Sequence, residues 1–395
     1  MIAPSTIALA AYALLVVAAF RRSRIFGIFA VVMGGFPTLV GNALRESFGV
    51  FAPIVLYAQL ATMLHFGALL VQPKLRSTAF RALVSVPSAW FVAGSLLAFP
   101  WAIVAAFGVE PWGAWIPYVL CLLGVWQSLF TRRERVDVVL DDHHAPALAR
   151  HHAGVHRNRP QARDGRPLKL IQITDPHLGP FMSIARLQGI CARAVAEQPD
   201  LVLVTGDIMT MESHDEAAVT AALAPLAQLP GRVFACHGNH DHEARAVVAR
   251  AYAKHGITLL VDEATMIDTP SGPVQIIGAD FVWRDRPDHL RRLVERFPRR
   301  PDALRLWLLH DPGAFKHLPE GEGDLVLSGH THGGQVGLVS LGLSWTFLSA
   351  TTKIPDHGLW ARGRDRLYVH RANGHYGYPI RLGVPAEESV LHVWR

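Results

Sequence analysis

Cysteine is scarce in this sequence, and charge is nearly missing from its first third. Three cysteines, Cys121, Cys191 and Cys236, stand far apart in 395 residues. An odd count without close spacing excludes a disulfide framework and agrees with a reducing compartment. Charged residues make up 18% of the chain, below the roughly one quarter usual in soluble proteins. The deficit falls before Phe130. From Thr131 onward the composition is that of a soluble α/β protein, long enough to bury its own core. There is no internal repeat of solenoid or propeller period. No stripe of aromatic and basic side chains marks a nucleic-acid groove, so nucleic acid is not expected as a partner. The formal net charge of +6 reads first as attraction to an anionic membrane surface. Oligomeric state leaves no trace in the sequence.

What the first third does contain is apolar stretches, roughly at 4–20, 25–44, 48–72, 83–107 and 112–130. Each is about long enough to cross a hydrocarbon core of ~30 Å. The pattern predicts an all-α transmembrane region over residues 1–131 with about five helices. The loops alternate in charge. Arg21, Arg22 and Arg24 fill the first; Arg45 sits beside Glu46 in the second; Lys74, Arg76 and Arg81 fill the third. Glu110 is alone in the fourth, and Arg132, Arg133 and Arg135 follow the last stretch. Basic loops stay in the cytoplasm, which places everything after Thr131 on that side. The first stretch lacks a basic leader and is not read as a cleaved signal peptide.

Residues 132–167 read as a juxtamembrane linker, with a possible first strand at Val136–Leu140. The stretch from Asp141 is rich in His, Arg and Pro and has no apolar period. Its histidines are expected to be solvated rather than metal-bound. Beyond it, from 168 to 395, short β-branched runs alternate with helical pieces such as Ser183–Glu197 and Glu216–Gln228. The runs are Lys169–Thr174, Leu201–Thr205, Arg232–His237, Val274–Ala279, Leu304–Leu309, Leu325–Ser328, Arg366–Arg371 and Ser389–Trp394. Apolar strands in alternating order predict an α/β fold with buried central strands.

Polar residues follow these runs in a regular way. Asp175 and His177 follow the first, and Asp207 follows the second. Asn239, His240 and Asp241 follow the third. His310 closes the fifth, and His330 and His332 follow the sixth. Sites in open α/β sheets form at the carboxyl ends of strands, so the groups are expected on one rim. Carboxylate, amide and imidazole donors together suit Mn, Fe or Zn better than calcium or a thiolate zinc site. A bridging carboxylate is expected between two divalent ions. Asp207, alone after its strand with Gly206 allowing close backbone approach, is the natural bridge. Two ions ~3.5–4 Å apart can bind a hydroxide between them and clamp a phosphoryl group.

The ordered series Asp175-Pro176-His177, Gly206-Asp207, Gly238-Asn239-His240-Asp241, His310 and Gly329-His330-Thr331-His332 resembles the calcineurin-like metallophosphoesterases. The resemblance extends from about Leu168 to the C-terminus. It implies a two-sheet sandwich flanked by helices and a hydrolase acting on phosphoric ester or anhydride bonds. It implies two divalent ions (Mn, Fe, Zn or Mg), one held by Asp175, His177, Asp207 and His332. The other would be held by Asp207, Asn239, His310 and His330. His240 would contact the phosphate and assist the leaving oxygen, with Asp241 orienting its ring. The tail, Arg366–Arg371 and Gly374–Pro379, is similar to the membrane-associated bacterial branch, some members of which resemble UDP-2,3-diacylglucosamine pyrophosphohydrolases. An integral protein of the bacterial inner membrane with a cytoplasmic catalytic domain and a lipid-linked substrate is the expectation. A soluble nucleotide-like phosphodiester, or a binding protein without catalysis, are the alternatives.

Each residue also has a plainer reading. Asp before Pro is common in turns. Asp207 can cap a helix, Gly238-Asn239 is a good turn pair, and His310 can be a core histidine. His237 and His242 lie near the site, but a filled ligand set leaves them no expected role. The arginine-rich stretch 284–305 reads first as a solvated helix face, and second as a contact for anionic headgroups.

Overall fold

The computed structural model describes residues 3–72, 74–158, 163–210 and 213–395. The chain divides into two compact units. Residues 159–162 of the expected linker lie outside the described residues.

One unit comprises residues up to Leu129 together with Gly179–Phe181 and Tyr376–Leu382. Four of its helices are long and apolar enough to cross a membrane: Pro4–Arg22, Arg24–Ala43, Glu46–Val71 and Thr78–Leu97. Ser23 separates the first two. Its extended backbone ends one helix, and its hydroxyl accepts from the Phe26 amide at 3.1 Å to start the next, the usual N-cap bond. Small residues let these helices approach: a Cβ on Gly27 would lie 2.3 Å from the Phe20 ring. The outer faces stay apolar, with Leu14, Ile25 and Val71 exposed, as lipid contact requires.

The fifth apolar stretch is only partly helical, over Ile116–Ser128, 13 residues. At ~1.5 Å per residue that is about 20 Å, short of a hydrocarbon core. Positive φ at Gly113 and a turn at 112–115 consume its start. Arg45, expected in a solvated loop, is instead buried and donates to Asn42 and Gln59. Phe181 and Ile380 pack in this unit against Ala89, Ala93 and Cys121.

The second unit comprises 130–178, 182–375 and 383–395. Among the described residues it has fourteen strands. The first seven are β1 (Thr131–Val139), β2 (Ala145–Arg150), β3 (Val155–Arg157), β4 (Leu168–Ile173), β5 (Leu201–Val204), β6 (Val233–Ala235) and β7 (Thr258–Leu259). The rest are β8 (Glu263–Thr269), β9 (Gly272–Gly278), β10 (Leu304–Leu308), β11 (Leu325–Ser328), β12 (Gly358–Gly363), β13 (Asp365–Val369) and β14 (Ala386–Trp394). They form two seven-stranded mixed sheets, ordered β3-β1-β14-β4-β5-β6-β7 and β2-β12-β13-β11-β10-β9-β8. In the first, β4 to β7 run parallel. In the second, β9, β10, β11 and β13 do.

Leu170, Leu203, Phe234 and Leu391 from the first sheet meet Leu306, Leu327 and Tyr368 from the second in one buried core. A second apolar layer joins Trp307, Val326 and Val369 to Leu290 and Leu293 of the helix Arg286–Arg296. That helix leaves Arg291, Arg292 and Arg296 exposed, a solvated face. Residues 131–157, read from the sequence as a linker with one short strand, form three strands. Strand β1 pairs in parallel with β14 over nine residues, and β2 pairs with β12.

Candidate metal centre

The strands deliver their polar residues to one place because the five that carry them run parallel within their sheets and end there. The loops after β4, β5, β6, β10 and β11 carry the predicted residues. These loops turn sharply. Asp175, His177, Asp207, His330 and His332 all have left-handed backbones, with φ of 47°, 47°, 55°, 65° and 52°. Such a φ is uncommon outside glycine and costs of order 1 kcal/mol or more. Five such residues in one rim point to a constraint other than folding. Two glycines let the loops touch. A Cβ on Gly206 would lie 2.3 Å from the Gly238 amide nitrogen, and one on Gly238 2.1 Å from Asp207 Oδ1.

Two groups converge. Asp175, His177 and His332 form one, and Asp207, His310 and His330 the other. In the first, His177 Nε2 faces His332 Nε2 at 3.2 Å, and His332 Nε2 lies 3.2 Å from Asp175 Oδ1. In the second, His330 Nδ1 faces His310 Nε2 at 3.2 Å. Asp207 Oδ2 stands between the groups, 3.6 Å from His177 Nε2 and 3.3 Å from His310 Nε2. Facing imidazole nitrogens repel unless a proton or a cation lies between them. Asn239 Oδ1, in the same rim, is buried with no hydrogen-bond partner, an arrangement that costs energy unless something binds it.

Electrostatics agree with a cation. Burial opposes charge on His310, but Asp207 and Asp175 outweigh it and push its pKa up to about 10. Asp175 is held well below the ordinary carboxylate range: burial works against ionisation, and the surrounding histidines, His310 first, overcome it. His310 donates its Nδ1–H to the Thr205 carbonyl at 2.7 Å, which turns Nε2 toward Asp207 and His330, where a proton or a cation can bind it. Backbone-fixed tautomers of this kind are usual for metal-ligating histidines. The donor set and the orphaned amide oxygen therefore fit a pair of divalent ions.

His240 and Asp241 are differently placed from expectation. Asp241 is buried, and its carboxylate accepts from the amides of Asp207 (2.7 Å), Ile208 (3.0 Å) and Gly238 (2.9 Å). It ties the β5 and β6 loops together and does not orient the His240 ring, a correction to its expected role. The reason is local. Residues 241–244 form a 3-10 turn whose start points the Asp241 side chain back into the strand ends. Glu243 takes the orienting position instead, 2.9 Å from His240 Nδ1 and 3.2 Å from His214 Nε2. Burial lowers the His240 pKa, but the Glu243 bond and Asp207 more than reverse this and hold it above the usual histidine value. Sequence reasoning missed Glu243. It also missed Asn373, whose Oδ1 accepts from the Thr174 amide at 2.9 Å, and Asp280. The strand-end rule applied to β9 finds Asp280.

Residues 168–334 match the calcineurin-like phosphoesterase family. The second unit thus carries a calcineurin-like metallophosphoesterase domain, that of an enzyme hydrolysing phosphoric esters. The chain is 29% identical to phosphodiesterase YaeI of Escherichia coli over 232 residues, 58% of this chain and 82% of the relative. It is 28% identical to the metallophosphoesterase YkuE of Bacillus subtilis, over 59% of this chain and 80% of that one. A transmembrane protein with metallophosphoesterase domain from Danio rerio is 27% identical over 58% of this chain and 53% of its own length. Among solved structures, the sulfate thiohydrolase SoxB of Thermus thermophilus aligns with a TM-score of 0.32 and 13% identity. That alignment covers 62% of this chain and 52% of that one. With the four apolar helices, these relatives indicate membrane association.

Proposed function

We propose that the protein hydrolyses a phosphodiester or pyrophosphate bond of a lipid-linked substrate, such as UDP-2,3-diacylglucosamine, at the inner face of a bacterial cytoplasmic membrane. Asp175, His177, Asp207 and His332 would hold one divalent ion, and Asp207, Asn239, His310 and His330 the other. Such a pair supplies Lewis-acid stabilisation of phosphoryl oxygens and water of lowered pKa. His240, hydrogen-bonded to Glu243 and partly exposed, would meet the leaving oxygen and give it a proton. The observation that carries the lipid reading is one chain joining this site to four apolar helices of spanning length. The second reading, a soluble phosphodiester with the helices as anchor, draws on the relative described as a phosphodiesterase.

Purified full-length protein should cleave both bis-para-nitrophenyl phosphate and UDP-2,3-diacylglucosamine with Mn²⁺ and neither with excess chelator. A kcat/KM for the lipid at least tenfold higher supports the lipid reading. Equal or lower efficiency on the lipid sinks it in favour of the anchor reading.

Orientation rests on Arg21, Arg22 and Arg24, on Lys74, Arg76 and Arg81, and on Arg132, Arg133 and Arg135, by the positive-inside rule. A green fluorescent protein fused after Arg395 should fluoresce in a bacterial host, and an alkaline phosphatase fused there should be inactive. The opposite pair of results places the domain outside.

A further inference from the structure

Beside the strand-end pair, a third group of ligand-capable side chains converges: His237, His242 and Asp280. We propose that these residues form a separate binding site for one zinc-class divalent ion, which fastens the loop after β6 to the end of β9.

The geometry resembles the two groups already described. His237 Nδ1 lies 3.3 Å and His242 Nε2 2.9 Å from Asp280 Oδ1, and the three ligand atoms lie within 4.8 Å of one another. Ligand atoms around a tetrahedral zinc ion, at bond lengths of about 2.0–2.1 Å, are separated by roughly 3.3 Å. Two imidazoles and one carboxylate form the ligand set of an open zinc site, with room for water as fourth ligand. The two rings stand at 89° to each other, so both edges reach one point without stacking. Their exposure grades suitably: the side chains of His237, Asp280 and His242 are 3%, 13% and 26% exposed. The site therefore has a solid floor and a solvent side. His237 Nε2 is buried without a partner, so the ring is held in place from its Nδ1 side.

The outer contacts also fit. Asp280 Oδ2 accepts from Arg245, and the Phe281 amide donates to Oδ1 at 3.0 Å. Carboxylates that bind metals are commonly fixed by such bonds. The Arg245 charge opposes a nearby cation, so this ion should bind more weakly than the strand-end pair and leave first on dialysis. Phe281 divides the sites. Its ring centroid lies 6.0 Å from that of His242 and 6.1 Å from those of both His310 and His330. The rival is a plain hydrogen-bond hub in which Asp280 receives four donors, from His237, His242, Arg245 and the Phe281 amide, and no ion. The loop concerned runs from His237 through Asn239 and His240 to Arg245, so an ion here would brace residues used by the main site.

Metal content separates the two. Full-length protein in detergent, equilibrated with micromolar Zn²⁺ and measured by inductively coupled plasma mass spectrometry, should hold three equivalents. His242→Gln and Asp280→Asn should each hold two. Folded Asp207→Ala should keep one, which does not depend on the strand-end pair. With Co²⁺ in place of zinc, Asp207→Ala should keep an intense visible band of four-coordinate cobalt, absent from an Asp207→Ala/His242→Gln double variant. Two equivalents in the wild type, three in both single-site variants, or none in folded Asp207→Ala would each overturn the proposal.

Discussion

Replacing Asp207 with alanine should lower turnover of bis-para-nitrophenyl phosphate by about a thousandfold or more, on the scale of losing a group that stabilises developing charge. Two bound metal equivalents should leave with it. Among the described residues, Asp207 Oδ2 is the one carboxylate oxygen within 3.6 Å of an imidazole nitrogen from each strand-end group. Its other oxygen accepts from the His240 amide at 2.8 Å. A single change thus removes the shared ligand and loosens the loop that carries His240. His240→Ala supplies the contrast. That ring ligates nothing in the proposed scheme, so the metals should stay while kcat falls about 10²–10⁴-fold, the usual weight of a positioned acid. Mass spectrometric metal content and Michaelis kinetics on the same preparations decide both. An Asp207→Ala protein that keeps the strand-end pair would dismiss the bridging role, and an undiminished kcat in His240→Ala would dismiss the acid.

Much of this site was legible because it depends on short-range rules. Each of the eight β-branched runs read from the sequence contains or overlaps a strand, and the loops after five of them hold the predicted residues. The polar residue after an apolar strand is visible in one dimension, and parallel topology does the rest. What escaped depends on partners remote in sequence. The β2 segment, Ala-Pro-Ala-Leu-Ala-Arg, has no apolar alternation of its own. It becomes a strand because β12, more than 200 residues later, offers its edge. β3 is three residues against β1. The family resemblance implied that Asp241 orients the His240 ring. In three dimensions a turn carries Asp241 to three backbone amides, and the i+3 residue Glu243 reaches the ring instead. His237 and His242 had no visible function because their common partner, Asp280, lies 38 residues beyond His242. Arg45 looked like a loop charge because nothing in the sequence links it to Gln59.

The same dependence on distant partners makes Glu387 the residue whose loss should cost most in stability. It is fully buried at the start of β14. Its carboxylate lies 3.2 Å from Arg157 Nη1 and 3.1 Å from Arg371 Nε, and it accepts from Ser389 Oγ at 2.6 Å and from the Tyr368 hydroxyl. Glu134 completes the cluster, 2.6 Å from Arg371 Nη2. Burial opposes ionisation of Glu387, but Arg157, then His370 and Arg371, hold its carboxyl well below the usual range. Glu387→Ala leaves buried guanidinium groups short of a counter-charge, a change that typically costs about 3–5 kcal/mol. For a domain of this size that is a fall in Tm of roughly 10 °C, measurable by thermal shift on the full-length protein in detergent. A group with a depressed folded pKa stabilises above its unfolded value, near 4.3, and loses that contribution as pH falls further. The gap between wild type and variant should therefore be full at neutral pH and shrink below about pH 4. A gap that does not change with pH would mean that packing, not charge, is what Glu387 contributes. The site should feel the change as well. Asn373 Nδ2 donates to the Glu387 carbonyl at 2.7 Å, and Asn373 Oδ1 accepts from the Thr174 amide, next to Asp175. Loosening β14 therefore reaches the first metal-ligand loop through two hydrogen bonds of one asparagine.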